Sequence, residues 1–317
     1  MNTSIATVGI DVSKDELVVF AEGKRLGGFP NTHAGLSKLR PKLPEGAQVH
    51  LEASGGYDRL ARALLSEWGF EVRLHNPRKV RRMADGIGFT AKNDQMDAEV
   101  LALVGPLVCS KAAKSARQEQ LCDISRTIKS LRGEMARHRV QMQASNIPIQ
   151  CRQAYQAVNK AIERQVKRLE ETFVKLVRQS EFRDRYELAL SVPGIGEATA
   201  RVLACELPAD LSGFSTKCLS SYAGLAPIDD QSGSRNGPRR VRKGNVQIKA
   251  AMYMPAVWAL SRLDWANKLY TGLRAKGRAH GQAMVAVMRR LLVIATAVMR
   301  RGTPFQGAQP RQIIRLN

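Results

Sequence analysis

Over the first hundred positions, apolar residues come in short β-branched runs separated by turn residues. Residues 5–11 (IATVGID) and 16–21 (ELVVFA), divided by VSKD, predict a pair of strands. A third short strand is expected at 25–29 and a fourth at 48–52 (QVHLE), with Thr32 placed to cap a helix between them. The turn ASGGY leads into a helix over 57–68, a fifth strand follows at 70–74, and Asn76-Pro77 opens another helix. Strands first, then strand and helix in alternation, predict a mixed α/β sheet.

Beyond this region the period lengthens to that of helices. Met96, Val100, Leu101 and Val104 form one stripe. Leu121, Ile124, Ile128, Leu131, Met135 and Met142 form a second, with His138 as a seam residue, and a third runs from Tyr155 to Leu176. Pro148 breaks the chain between the last two, so two long helices are expected, folded back as a hairpin or paired with another chain. Residues 190–206 (LSVPGIGEATARVLACE) hold a glycine turn before an apolar helix, similar to a helix-hairpin-helix. A tight turn between two packed helices is the competing reading. A glycine-rich polar loop follows, with a helix from about Val246. The expected organisation is a sheet domain at 1–110, long helices at 111–182, a mainly helical domain at 183–304 and a tail at 305–317.

Charge changes this picture more than composition does. The 317 residues are 44% hydrophobic and 25% charged, the balance of a soluble globular chain, yet the net charge is +22. Seventeen basic residues and a single acid, Asp264, lie from Gln231 onward. Such asymmetry predicts a polyanion as partner, with affinity that falls steeply with salt; a merely solvated basic face is the alternative. Five cysteines without CxxC spacing fit a reducing cytoplasm, and the N-terminus lacks the layout of a secretory signal. Residues 283–299 are apolar, but Arg289 and Arg290 interrupt them, which predicts a buried helix and no membrane partner.

Four carboxylates stand where chemistry would need them. Asp11 and Glu52 end two expected strands, and Asp94 and Asp97 share one helix face three residues apart. Hard oxygen donors without His or Cys suit Mg2+ or Mn2+, and two such ions would clamp the attacking and leaving oxygens of a phosphodiester. Surface acids and helix caps are the bland reading. In the late region, the backbone N–H groups around Gly194 and Gly196 are candidates for a DNA phosphate contact. Ser232 stands next to Gly233, close to Arg235, Arg239, Arg240, Arg242 and Lys243; on chemistry alone it reads as a loop or phosphate-contact serine.

GIDVSKDELVVF, HLEASGGY and KNDQMDAEVLAL resemble the three metal-ligand motifs of the RuvC-like DEDD domain, an RNase H-superfamily fold, in a family of bacterial insertion-sequence transposases. The later segments match as well, in order, over nearly the whole chain. The family includes pilin-gene invertases and bridge-RNA-guided recombinases. The resemblance places its acidic tetrad on Asp11, Glu52, Asp94 and Asp97. It also places a catalytic serine on Ser232, the residue before the glycine in AGLxP-spacer-SG, with Ser234 as the neighbouring alternative. What it implies is strand exchange between donor and target DNA through a phosphoserine link beside Mg2+, and long helices that dimerise as a coiled coil. A composite site in a homodimer or tetramer and a structured guide RNA are implied with it. A RuvC-like junction nuclease, an unguided invertase and an inactive DNA-binding protein are the competing expectations.

Overall fold

A computed structural model describes residues 5–89, 94–108, 114–144, 146–232, 235–241 and 244–307; the side chains of residues 94, 95 and 229–240 lie outside that description. The chain forms two compact units, Met1–Ala113 and Lys114–Asn317.

In the first unit β1 (Thr7–Val12), β2 (Glu16–Ala21) and β3 (Lys24–Pro30) form an antiparallel meander. After α1 (His33–Leu39) the chain adds β4 (Gln48–Glu52) parallel to β1, and α2 (Asp58–Glu67) carries it to β5 (Glu71–His75), parallel to β4. The sheet order is β3-β2-β1-β4-β5, followed in sequence by α3 (Pro77–Gly86) and α4 (Asp94–Val104). Local signals set the helix starts. Thr32 accepts a hydrogen bond from the Gly35 amide at 3.2 Å, and Asn76 accepts one from the Arg78 amide at 3.0 Å with Pro77 in the first helical turn. Val8, Ile10, Leu17, Val19, Val49 and Leu51 bury one contiguous core with Leu36, Leu39 and Leu65. Mixed sheet and helices agree with the expected α/β class.

The second unit is helical apart from one ribbon. The long helices α5 (Ala116–Met142) and α6 (Ile149–Arg178) pack against each other within the chain, and Pro148 immediately precedes the second. His138 is a seam residue, its ring tilted against that of Tyr155 and bonded through Nδ1 to Asn159 Oδ1 at 2.9 Å. Then come α7 (Arg183–Leu190), α8 (Glu197–Glu206) and α9 (Thr216–Tyr222). Here the structure departs from the expected glycine-rich loop: β6 (Ile228–Ser232) and β7 (Arg235–Arg240) pair as an antiparallel ribbon. Helices α10 (Val246–Ala251), α11 (Tyr253–Arg262), α12 (Asp264–Ala275) and α13 (His280–Arg301) complete the unit. Leu121, Phe173, Phe182, Leu203, Leu291 and Leu292 lie in one core, so the bases of α5 and α6 belong to the same packed body as the later helices. Among the described residues only α13 is long and apolar enough to cross a membrane, and half of its apolar stretch is buried in this core.

Candidate metal centre and nucleic-acid surface

Asp11 and Glu52 arrive together because β1 and β4 are parallel neighbours. Ile10 pairs with Leu51, and one further step of that register sets Asp11 beside Glu52 at the strand ends. Helix α4 packs over β1, and its backbone comes close to the strand at Gly9. A Cβ on Gly9 would lie 2.0 Å from the Ala98 carbonyl oxygen and 2.5 Å from the Ala102 amide. No side chain fits there, so the missing one lets the helix backbone rest on the strand. Gly9 and Asp11, two apart, share that face of the sheet. Asp97 directly precedes Ala98 on that helix.

Asp11, Glu52 and Asp97 are half-buried, and none stands free of a polar or electrostatic interaction. Asp94 opens α4, but its side chain lies outside the described residues. Among the described residues no three His, Cys, Asp or Glu side chains are gathered as a ready-made cage. The donor set is all carboxylate oxygen, which fits a hard divalent cation.

Three groups that sequence reasoning missed hold this corner. Asn31 Nδ2 donates to the carbonyls of Ser13 and Tyr57, both at 3.0 Å, tying the loop after Asp11 to the loop after Glu52. Buried Asp58 accepts from the Ser54 and Gly56 amides at 3.2 and 3.3 Å and from Arg62 at 2.7 Å, closing the ASGGY turn. Burial opposes its ionisation, but Arg62 and the amides outweigh burial and hold the carboxyl below its usual range. The third group is a histidine pair. Register sets His75 opposite Glu52, and His75 Nε2 meets His50 Nδ1 at 2.9 Å with the rings stacked. Burial, reinforced by His75 and Arg73, pushes His50 down to about 4, and burial lowers His75 as well, so the pair is neutral near pH 7. His50 Nε2 and His75 Nδ1 find no partner among the described residues. Alternation in QVHLE shows His50 facing inward; the partner across the sheet is invisible without the register.

In the second unit the two glycines of PGIG do different work. Gly194 has φ +90° and would drive a Cβ to 2.7 Å from the Trp258 ring, so no side chain fits there. Gly196 caps the start of α8 with nothing within 4 Å of its would-be Cβ, leaving that helix end open. Both ends of the β6–β7 ribbon are pinned where Gly244 (φ +106°) meets the Gly224 backbone. Beneath them, buried Glu206 accepts from Lys114 at 2.8 Å, Arg126 at 2.6 Å and Asn245 Nδ2 at 3.0 Å. Burial disfavours its charge, yet Lys114, Asn245 and Arg126 together hold its carboxyl below the usual range. Ser232 pairs with Arg235 at the ribbon's turn; its side chain and those of Arg235, Arg239 and Arg240 lie outside the described residues, as do Ser234, Arg242 and Lys243 altogether.

Residues 8–145 match the model of the IS110-type DEDD transposase domain, and residues 186–271 match that of the transposase IS116/IS110/IS902 family. The chain belongs to this transposase family. The pilin gene-inverting protein of Moraxella bovis is 29% identical to this transposase over 318 residues, covering 94% of this chain and 97% of that protein. An uncharacterized IS110 protein of Streptomyces coelicolor is 36% identical over 122 residues, 38% of this chain and 30% of its own. An uncharacterized IS116 protein of Streptomyces clavuligerus is 35% identical over 132 residues, 40% and 32% of the two chains.

The DEDD match overturns one expectation. A DEDD transposase works through its carboxylates, which conflicts with a phosphoserine intermediate on Ser232 and with the label of serine recombinase. The physical reason lies in activation. A serine hydroxyl is a weak nucleophile without an adjacent base, whereas carboxylate-held metal chemistry needs no protein nucleophile.

Proposed function

We propose that this transposase cuts and joins DNA at a divalent-metal centre built on Asp11, Glu52, Asp94 and Asp97. The observation that supports the reading is the seating of α4, the helix that carries Asp94 and Asp97, on β1 at Gly9, two residues before Asp11. Mg2+, or Mn2+ in its place, supplies Lewis-acid stabilisation of the oxygens that attack and leave phosphorus. The four carboxylates hold the ion and fix its position. The neutral His50–His75 pair keeps further positive charge away from it, while Asn31 and the Asp58-closed turn keep the two ligand-bearing loops in register. Attack comes from water or a DNA hydroxyl.

Donor and target phosphates are held by the basic C-terminal surface, through the open α8 end at Gly196 and through Arg235, Arg239, Arg240, Arg242 and Lys243. Site-specific inversion is the reaction class favoured within this reading, because the likeness to the pilin gene-inverting protein spans nearly the whole of both chains. A guide RNA, a homodimer or tetramer and a composite site rest on the family resemblance alone. A plasmid carrying two inverted copies of the element's junction tests the reading. Purified protein, with and without nuclease treatment, should give Mg2+-dependent inverted product that Asp97→Asn abolishes. Mg2+-dependent free ends with no joined product would move the assignment to a RuvC-like junction nuclease.

A further inference from the structure

Helices α10 and α11 form an almost unbroken rod, since the Met252 amide bonds the Ile248 carbonyl and the Ala256 amide bonds that of Met252. One face is buried through Ile248, Met252, Ala256 and Ala259. The opposite face is apolar too, and it is uncovered. Val246, Ala250, Tyr253, Met254 and Val257 follow one helical stripe, with Val246 71%, Met254 66% and Tyr253 45% exposed. A helix of a monomeric protein ordinarily turns charged residues to solvent at these positions, so the stripe marks a binding surface.

We infer that this stripe contacts the faces of unstacked DNA bases, with Tyr253 and Met254 as the stacking and wedging side chains. The inference rests on the reading of the second unit as a DNA-binding surface. Charge selects the occupant. Lys249 and Arg262 sit on the same rod, and Lys129 reaches it by donating to Gln247 at 2.8 Å. From Gln231 onward the sequence holds seventeen basic residues against Asp264 alone. A second copy of the chain would press the same positive field against the stripe. So would the chain's own residues 308–317, which carry Arg311 and Arg315. An opened DNA strand offers the complement of both features, anionic phosphates outside and apolar base faces within. The PGIG turn adds to this arrangement, because Gly194 packs on Pro255 and Trp258 along the flank of the same rod while the α8 start at Gly196 stays open.

Affinity of the full-length protein for an intact duplex and for one carrying a two-thymine bulge, both in EDTA, tests the inference. Wild type should prefer the bulged DNA, and Tyr253→Ala with Met254→Ala should lose that preference by about fivefold or more, the scale of one base-aromatic stack. The dependence on salt should stay the same, because the phosphate contacts are untouched. Three results would overturn the inference: an unchanged preference, a change in the oligomeric state of the DNA-free variants, or bulge preference that emerges only after truncation following Gly307. Asp97→Asn should keep the bulge preference whether or not it cuts DNA, so this inference and the catalytic reading fail separately.

Discussion

The Cβ that Gly9 lacks would fall 2.0 Å from the carbonyl oxygen of Ala98. Strand and helix backbones therefore meet where a methyl group has no room, one residue from Asp97 and two from Asp11. Gly9→Ala should push α4 off the sheet at a cost of about 1–3 kcal/mol, the usual range for overpacking. Metal-dependent cleavage should fall with it. Gly86→Ala, where nothing lies within 4 Å, is the control and should leave both unchanged or slightly raise stability. Thermal melts and cleavage of the two variants side by side check this.

Asn31 ties the loops that follow Asp11 and Glu52. Asn31→Ala removes two hydrogen bonds and should cost about 1–2 kcal/mol of stability. The larger effect should be on turnover, since freeing the loops misplaces the carboxylates without touching the second unit. Single-turnover cleavage against DNA concentration separates the two: kcat should drop while the half-saturating DNA concentration stays near wild type. An equal rise in the latter alone would place Asn31 in DNA binding.

Stability should depend on pH through the histidine pair. The unfolded His50 titrates near 6.5 and the folded one near 4, so between these values the unfolded chain binds the proton and the folded chain does not. Stability therefore rises with pH across that window and levels off above it, with His50 contributing on the order of 3 kcal/mol at most. His75 shifts in the same direction. Urea midpoints at a series of pH values should show the rise, and His50→Gln should flatten it. An equally steep rise in the variant would contradict the assignment.

Glu206 joins Lys114, Arg126 and Asn245 beneath the ribbon. Glu206→Gln leaves the half-exposed Arg126 in contact with solvent but strands Lys114, and breaking a buried pair of this kind costs about 3–5 kcal/mol. A lowered melting temperature is expected. The ribbon should loosen with it, read as faster proteolysis between Gly224 and Gly244. A variant that melts with wild type would show the network to be dispensable.

Much of the sheet was legible because its signals are local. Strands β2 and β4 fall on the same bounds that alternation predicts, and Thr32 and Asn76 cap the helices they precede. The ribbon was not legible. Its second strand reads RNGPRR, and glycine, proline and asparagine mark a loop unless an edge strand without long ladder partners accommodates them. The function of Gly9 and the pairing of His50 with His75 were hidden for a different reason. Both depend on contacts across the fold, one with a helix some ninety residues later and one with a neighbouring parallel strand. Strand ends and helix spacing single out the four carboxylates in the sequence; the hydrogen bonds of Asn31 and Asp58 in the adjoining loops leave no such signal. Ser232 shows the opposite error, a motif given a chemical role that the DEDD match does not support.

In the proposed reaction carboxylates and a divalent ion, and no protein nucleophile, act on DNA. Its most direct test is labelled junction DNA incubated with Mg2+ and wild type, Asp11→Asn or Ser232→Ala, then run on denaturing gels with and without protease. Cut or joined DNA is expected from wild type and from Ser232→Ala, none from Asp11→Asn, and no band that shifts on protease treatment. A protease-sensitive covalent band that vanishes with Ser232→Ala would contradict it.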